Sequence, residues 1–214
     1  MIQESINVSK RIIAGVYVVI AGLNTMLFLP AITYKLGFGW LSKQMYNVLG
    51  FLCHQMPQRS FFLFGEQFMY SQNELLKVMN WNNMFTVNIQ NRYTCSDSLG
   101  CKFGVCSRCT GLYTGMAAGS VTGWMIHKKN IPLWIFGILL VPMAIDGGVQ
   151  LIASLVTPKD PFYESNNALR FATGFLFGMG FGIYTFGRMH REVFNAEQEL
   201  EAEEQKAKQK KKLT

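Results

Sequence analysis

Cys106-Ser107-Arg108-Cys109-Thr110-Gly111 sets two thiols three positions apart at the start of an apolar, glycine-rich stretch. Such a pair can share a metal ion or close a disulfide, and a helix N-terminus draws both groups toward the thiolate. Four of the five cysteines lie between residues 95 and 109, and the fifth, Cys53, is followed at once by His54. Cys53, His54, Cys106 and Cys109 together offer the soft thiolate and imidazole ligands that suit zinc. Adjacent residues such as Cys53 and His54 rarely reach one ion without a turn, so Asp146 and Glu164 are further candidates to complete the set. Cys95 and Cys101 form a second pair, a candidate disulfide. If Cys106 also pairs with Cys109, Cys53 is left over, which favours a metal over an all-disulfide arrangement.

Other polar groups gather at the same level. Asp146 and Gln150 are four apart and share a helix face. An ionisable group inside an apolar span is costly, so Asp146 is a functional candidate, or else a structural lock with Arg170 or Arg108. Glu164-Ser165-Asn166-Asn167 stands before Arg170 and is either a helix cap or part of the site. Arg59 and Arg170 carry forked guanidiniums suited to phosphate, including lipid phosphate. Asp146, Glu164, Arg59 and Arg170 are therefore the candidate catalytic residues.

The elements that must position these groups are membrane spans. Half of the 214 residues are hydrophobic and only 15% are charged, well below the share usual in soluble domains. Four apolar runs, about 12–34, 110–126, 131–156 and 168–186, are long enough to cross the ~30 Å hydrocarbon core. The first has no small-residue cleavage site and reads as a retained span. The chain thus reads as an all-α integral membrane bundle of about four transmembrane helices. It divides into a membrane domain, 1–190, and a charged tail, 191–214.

Basic residues set the orientation. His127-Lys128-Lys129 lies between spans two and three, and Arg188, Arg191 and the lysine-rich tail follow span four. Cytoplasmic loops carry such residues, so both termini face the cytoplasm of a cell (inner) membrane. Residues 35–109 then form an irregular extracytoplasmic cap that bears the cysteines. Within it, 40–52 reads as a short helix on the membrane with Trp40, Leu41, Met45, Val48, Leu49 and Leu52 on one side. Residues 60–69 read as a strand pair or a re-entrant segment, and Trp81 and Phe85 as anchors. The net charge of +7 is explained by orientation and by attraction to anionic lipid, and no nucleic-acid module is present. His127 and His190 are read as interfacial groups.

Gly111, Gly115, Gly119 and Gly123 recur every fourth residue, as do Gly174, Gly178 and Gly182. This spacing forms smooth faces for close helix packing, within the bundle or with partner membrane proteins or a second copy. A lipid or quinone tail in the groove is the alternative.

Cys-His-Gln-x-Pro-x-Arg-Ser at 53–60, Cys-x-Arg-Cys-Thr-Gly at 106–111, Asp146-Gly147 with Gln150, and Glu-Ser-Asn-Asn at 164–167 with Arg170 form a specific combination. It resembles a family of small prokaryotic membrane proteins catalogued as domain of unknown function 2085, over roughly residues 45–185. The resemblance implies a membrane architecture and a polar site, with no reaction attached. The insertion carrying Cys95 and Cys101 departs from the family pattern. Three functions stay open: a zinc-type metal site, structural or catalytic; a quinone-linked thiol–disulfide oxidoreductase; and a non-catalytic subunit or scaffold of a membrane complex.

Overall fold

A computed structural model describes residues 2–71, 74, 75, 77, 95, 96, 98–157 and 162–213. Trp81 and Phe85 lie outside the described residues. Five α-helices dominate those that are described: α1 (Ile2–Lys35), α2 (Gly39–Leu49), α3 (Ser107–Ile126), α4 (Leu133–Val156) and α5 (Asn167–Leu213). The apolar runs 12–34, 110–126, 131–156 and 168–186 fall on α1, α3, α4 and α5 respectively, apart from the first two residues of the third run.

Two of these helices, over Gln3–Lys35 and Leu133–Val156, are long and apolar enough to cross a membrane. Only 17% and 11% of their most apolar windows are buried within the chain. A core helix of a soluble protein would hide that surface. Here Ile138, Ile145, Ile152 and Leu155 of α4 face outward, an apolar exposure that water does not tolerate over such an area.

The two glycine series face one another within the chain. A Cβ added at Gly111, Gly115 or Gly119 of α3 would collide with the carbonyls of Phe171, Phe175 and Met179 on α5. In return, Gly174 and Gly178 of α5 meet the carbonyls of Arg108 and Leu112. Backbone lies against backbone, so the facing helix fills the groove that a lipid or quinone tail would need.

α1 is approached where its own ladder is weakened. Pro30 has no N–H to offer the preceding turn. Nearby, Gly104 donates its N–H to the Leu27 carbonyl at 2.8 Å, and Ser42 Oγ donates to the Pro30 carbonyl at 2.7 Å. Gly104 must be glycine because a Cβ would strike the Leu49 side chain and the Met26 carbonyl. These contacts lay the segment before α3 against α1. Leu27, Leu49, Cys53 and Val105 form the small buried core beneath them.

The described residues between α1 and α3 form a helix and a small sheet. In α2 the buried residues are Ser42, Tyr46 and Leu49, while Trp40 and Val48 of the expected apolar side are 75% and 64% exposed. The outward apolar side is thus split from the inward one, as on a helix lying along an apolar surface. Within 60–69, Phe62–Leu63 (β1) is a strand, and Cys95–Ser96 (β2) and Gly100–Lys102 (β3) complete an antiparallel sheet of order β1-β3-β2. Cys95 faces Cys101 in register, and the two form a disulfide. The strand expected within 60–69 is thus present, but its partner lies at Gly100–Lys102 and not within the same segment, a pairing of distant residues that sequence alone does not give.

α5 runs 47 residues without interruption across residue 190. Its second half packs on the start of α1 through Val193 against Ile6 and Ile13, flanked by an ion pair between Lys10 and Glu197. His127 and His190 lie at this end, with ring centroids 6.0 Å apart and His190 Nε2 3.3 Å from the Tyr17 hydroxyl. They are thus at the end of α3 opposite Cys106 and Cys109.

Candidate functional site

Cys53 follows α2 directly, its N–H donating to the Leu49 carbonyl at 3.0 Å. Gln55 then turns the chain through left-handed backbone, with φ 51°. That conformation is costly for a residue with a side chain, and surrounding contacts must hold it. They do so here. Gln55 Nε2 donates to the Tyr46 carbonyl at 2.8 Å, and Lys102 Nζ donates to the Gln55 carbonyl at 2.6 Å and to its Oε1 at 3.2 Å. The turn aims the Gln55 amide back at Cys53 Sγ, 3.5 Å away, and the Cys106 amide reaches the same sulfur at 3.3 Å.

Cys106 is the N-cap of α3, in extended backbone with ψ 163°. The helix that follows brings Cys109 to the same side. The Sγ atoms of Cys53, Cys106 and Cys109 all lie within 4.8 Å of one another. Hydrogen bonds from the Cys109 and then the Cys53 thiol concentrate negative charge on Cys106, whose pKa falls to about 2. Cys106 makes no formal capping hydrogen bond, yet the Cys109 and Arg108 amides at the helix start add to that fall. The thiols that donate are held up: Cys106 raises Cys53 and, more strongly, Cys109.

His54 is exposed and does not join the sulfur group. It lines the same pocket, a cleft of about 350 Å³ bounded by Cys53, Cys106, Cys109 and the three arginines Arg59, Arg108 and Arg170. The disulfide-bonded Cys95 and Cys101 belong to the sheet and stand apart from the three free thiols.

Each arginine meets a carboxylate. Arg108 donates to Asp146 in a short ion pair and to Gln150 Oε1 at 3.1 Å. Asp146 also accepts from the Tyr163 hydroxyl at 2.8 Å, which raises the Tyr163 pKa. Arg59 and Arg170 share one oxygen of Glu164, at 3.1 and 3.3 Å. Arg170 is also fixed by its Nε–H to the Ser165 carbonyl at 2.7 Å. Of the two pairings expected for Asp146, the one with Arg108 is formed.

Asn166 caps α5, its Oδ1 accepting from the Leu169 N–H at 2.8 Å. Asn167 has a different task. It accepts from Ser107 Oγ at 3.0 Å and donates to the Gln58 carbonyl at 3.0 Å, tying α3 and α5 to the segment that carries Arg59.

Lys102 escaped the sequence reading. It is fully buried on β3, with no carboxylate paired to it among the described residues, and burial lowers its pKa to about 7. Negative charge on Cys53 and Cys106 offsets part of that fall. Nothing in the local sequence marks it, apart from a lone cation between Cys101 and Phe103.

Known proteins give a consistent setting. A family model described as "Predicted membrane protein (DUF2085)" matches residues 97–184, a stretch containing Cys106, Cys109, Asp146, Glu164 and Arg170. The chain is 34% identical over 149 residues to an uncharacterized protein of Methanocaldococcus jannaschii, covering 68% of each. It is 38% identical over 85 residues to an uncharacterized protein of Methanothermobacter thermautotrophicus, covering 39% of this chain and 69% of that one. No solved structure matches it.

Proposed function

This chain belongs to the DUF2085 family of predicted membrane proteins, and from that premise we propose that it holds a metal ion such as zinc on Cys53, Cys106 and Cys109. The observation that carries the proposal is the convergence of three sulfurs within 4.8 Å. Zinc–sulfur bonds of about 2.3 Å in a tetrahedron place their sulfurs about 3.8 Å apart, inside that limit. The amides of Gln55 and Cys106 on Cys53 Sγ serve as the outer hydrogen bonds that thiolate ligands need. Binding would release the protons that the thiols still carry.

In this reading α1, α3, α4 and the first part of α5 each cross the bilayer. The basic residues after α3 and around Arg188 and Arg191 lie in the cytoplasm with both termini, and the thiol site lies on the opposite face. The Cys95–Cys101 disulfide supports that placement, because disulfides persist in oxidising compartments. Three free thiols in such a compartment also need protection, which a metal supplies.

A second reading, thiol–disulfide exchange with a quinone, is favoured by the closeness of the Cys106 and Cys109 sulfurs, within 4.8 Å. There the pair would close a disulfide as quinone takes its two electrons, the two protons of the quinol coming from the thiols and, for any thiol already ionised, from solvent. That reaction gives Cys53 no part, whereas a metal uses all three sulfurs.

Elemental analysis of the protein purified in detergent separates the two. Near one zinc per chain, lost in Cys106→Ser/Cys109→Ser, supports the metal reading. Metal-free protein whose Cys106 and Cys109 oxidise on addition of quinone would replace it with the redox reading.

A further inference from the structure

Three thiolates leave a tetrahedral ion one position short, and sites with three protein ligands are those that accept an outside group. The residues around the opening determine what that group can be. The carboxylates are already engaged: Asp146 by Arg108 and Tyr163, Glu164 by Arg59 and Arg170. The three guanidiniums exceed the two carboxylates by one positive charge, which balances the single negative charge of a divalent ion on three thiolates. Arg170 lies close enough to Arg59 and Arg108 for their charges to repel it. Arg108 also retains a buried Nε–H with no hydrogen-bond partner among the described residues. At about 350 Å³ the cleft has room for more than a water molecule.

We infer that the fourth metal position is taken by an oxygen of a phosphate group entering this cleft, its other oxygens held by Arg59, Arg108 and Arg170. This rests on the three-thiolate metal reading above. Phosphate fits because it presents several oxygens to forked donors at once, as three guanidiniums require. The phosphate has two sources, the free anion in solution and a lipid headgroup, and the arms of the test distinguish them. Leu52 lines the cleft beside the strongly exposed Phe51, which gives the opening an apolar lip.

Cobalt(II) is the probe, because its sulfur charge-transfer bands report thiolate binding and its ligand-field bands report the fourth ligand. Cobalt-loaded protein is titrated with inorganic phosphate in detergent. Separately, in the same phosphate-free detergent, it is titrated with short-chain phosphatidylglycerol. The expected result is a saturable ligand-field shift in at least one arm, weakened about tenfold in Arg59→Gln, whose arginine is partly exposed. Arg170→Lys, which keeps the charge and removes the fork, should weaken it as well. A response to inorganic phosphate assigns the free anion, and a response to phosphatidylglycerol alone assigns the headgroup. Charge-transfer bands without a ligand-field shift in either arm overturn the inference and leave the metal reading standing. An unweakened response in both variants overturns the arginine assignment. Failure of cobalt to give charge-transfer bands removes the metal reading, and this inference with it.

Discussion

The Cys106 amide donates to the Cys53 sulfur across 53 residues of sequence, at 3.3 Å. This one hydrogen bond joins the loop after α2 to the N-cap of α3, and it makes Cys53 a full member of the thiol group. Cys53→Ser is therefore expected to lower zinc affinity by more than about a hundredfold, exceeding the usual effect of outer-shell changes. His54→Ala should leave affinity unchanged, since the imidazole is exposed. Competition against a zinc chelator measures both, and an equal loss in the two variants would make His54 a ligand.

Lys102 gives a stability that depends on pH. Its pKa is about 7 when folded, against an ordinary value of 10.5. Between those values the unfolded chain binds more protons, so stability rises with pH. From pH 7 to pH 9 the gain from this group is about 2 kcal/mol. Thermal unfolding in detergent should show a rise in Tm over that window for the wild-type protein, and a much smaller rise in Lys102→Met. An identical pH dependence in the two would remove Lys102 as its source.

Glycines of the bundle divide sharply by position. At Gly115 a Cβ collides with the Phe175 carbonyl, which cannot move without shifting α5. Gly137 of α4 has nothing within 4 Å of the added atom. Gly115→Ala is expected to cost about 3 kcal/mol or more by forcing the helices apart. Gly137→Ala should be neutral or stabilising by up to about 1 kcal/mol through helix propensity. Thermal unfolding of the two variants side by side checks the contrast.

Asp146 is 4% exposed in its side chain and Arg108 22%. Asp146→Ala leaves the guanidinium largely buried without its carboxylate, at a cost of about 3 kcal/mol. Adding Arg108→Met should recover most of that loss, because a buried charge pair can be exchanged for apolar packing. A double-mutant cycle by thermal unfolding reads the coupling directly, and additive losses would show that the pair is not a unit.

The sequence carries the helices and half of the site because both have local signatures. Apolar runs of span length, the fourfold glycine spacing and Cys-x-x-Cys are visible within one turn or one segment. The pairing of Asp146 with Arg108 was open to it, since both belong to spans whose ends could be aligned. What escaped depends on distant segments meeting. The three-stranded sheet draws on residues 62 and 102, and Asn167 binds Ser107 and Gln58 where capping alone was expected. Lys102 is invisible for the same reason: its burial is made by Gln55 and Tyr46 from elsewhere in the chain. His54 turns on the point already raised for adjacent residues: the turn at Gln55 does not bring its imidazole into the sulfur group, and it stays exposed.

The carbonyl-to-glycine seam between α3 and α5 has a mechanical consequence. Cys106 and Cys109 ride on one of these helices and Arg170 on the other, and the seam lets neither slide nor roll against its neighbour. A slide or roll of either helix would drive carbonyl into Cα, so the spacing between that sulfur pair and Arg170 is the stiffest in the cleft. On the proposed reading the sulfur pair and Arg170 would act as the fixed jaw of a vice, and an incoming ligand would be met by adjustment of the Cys53–Arg59 segment.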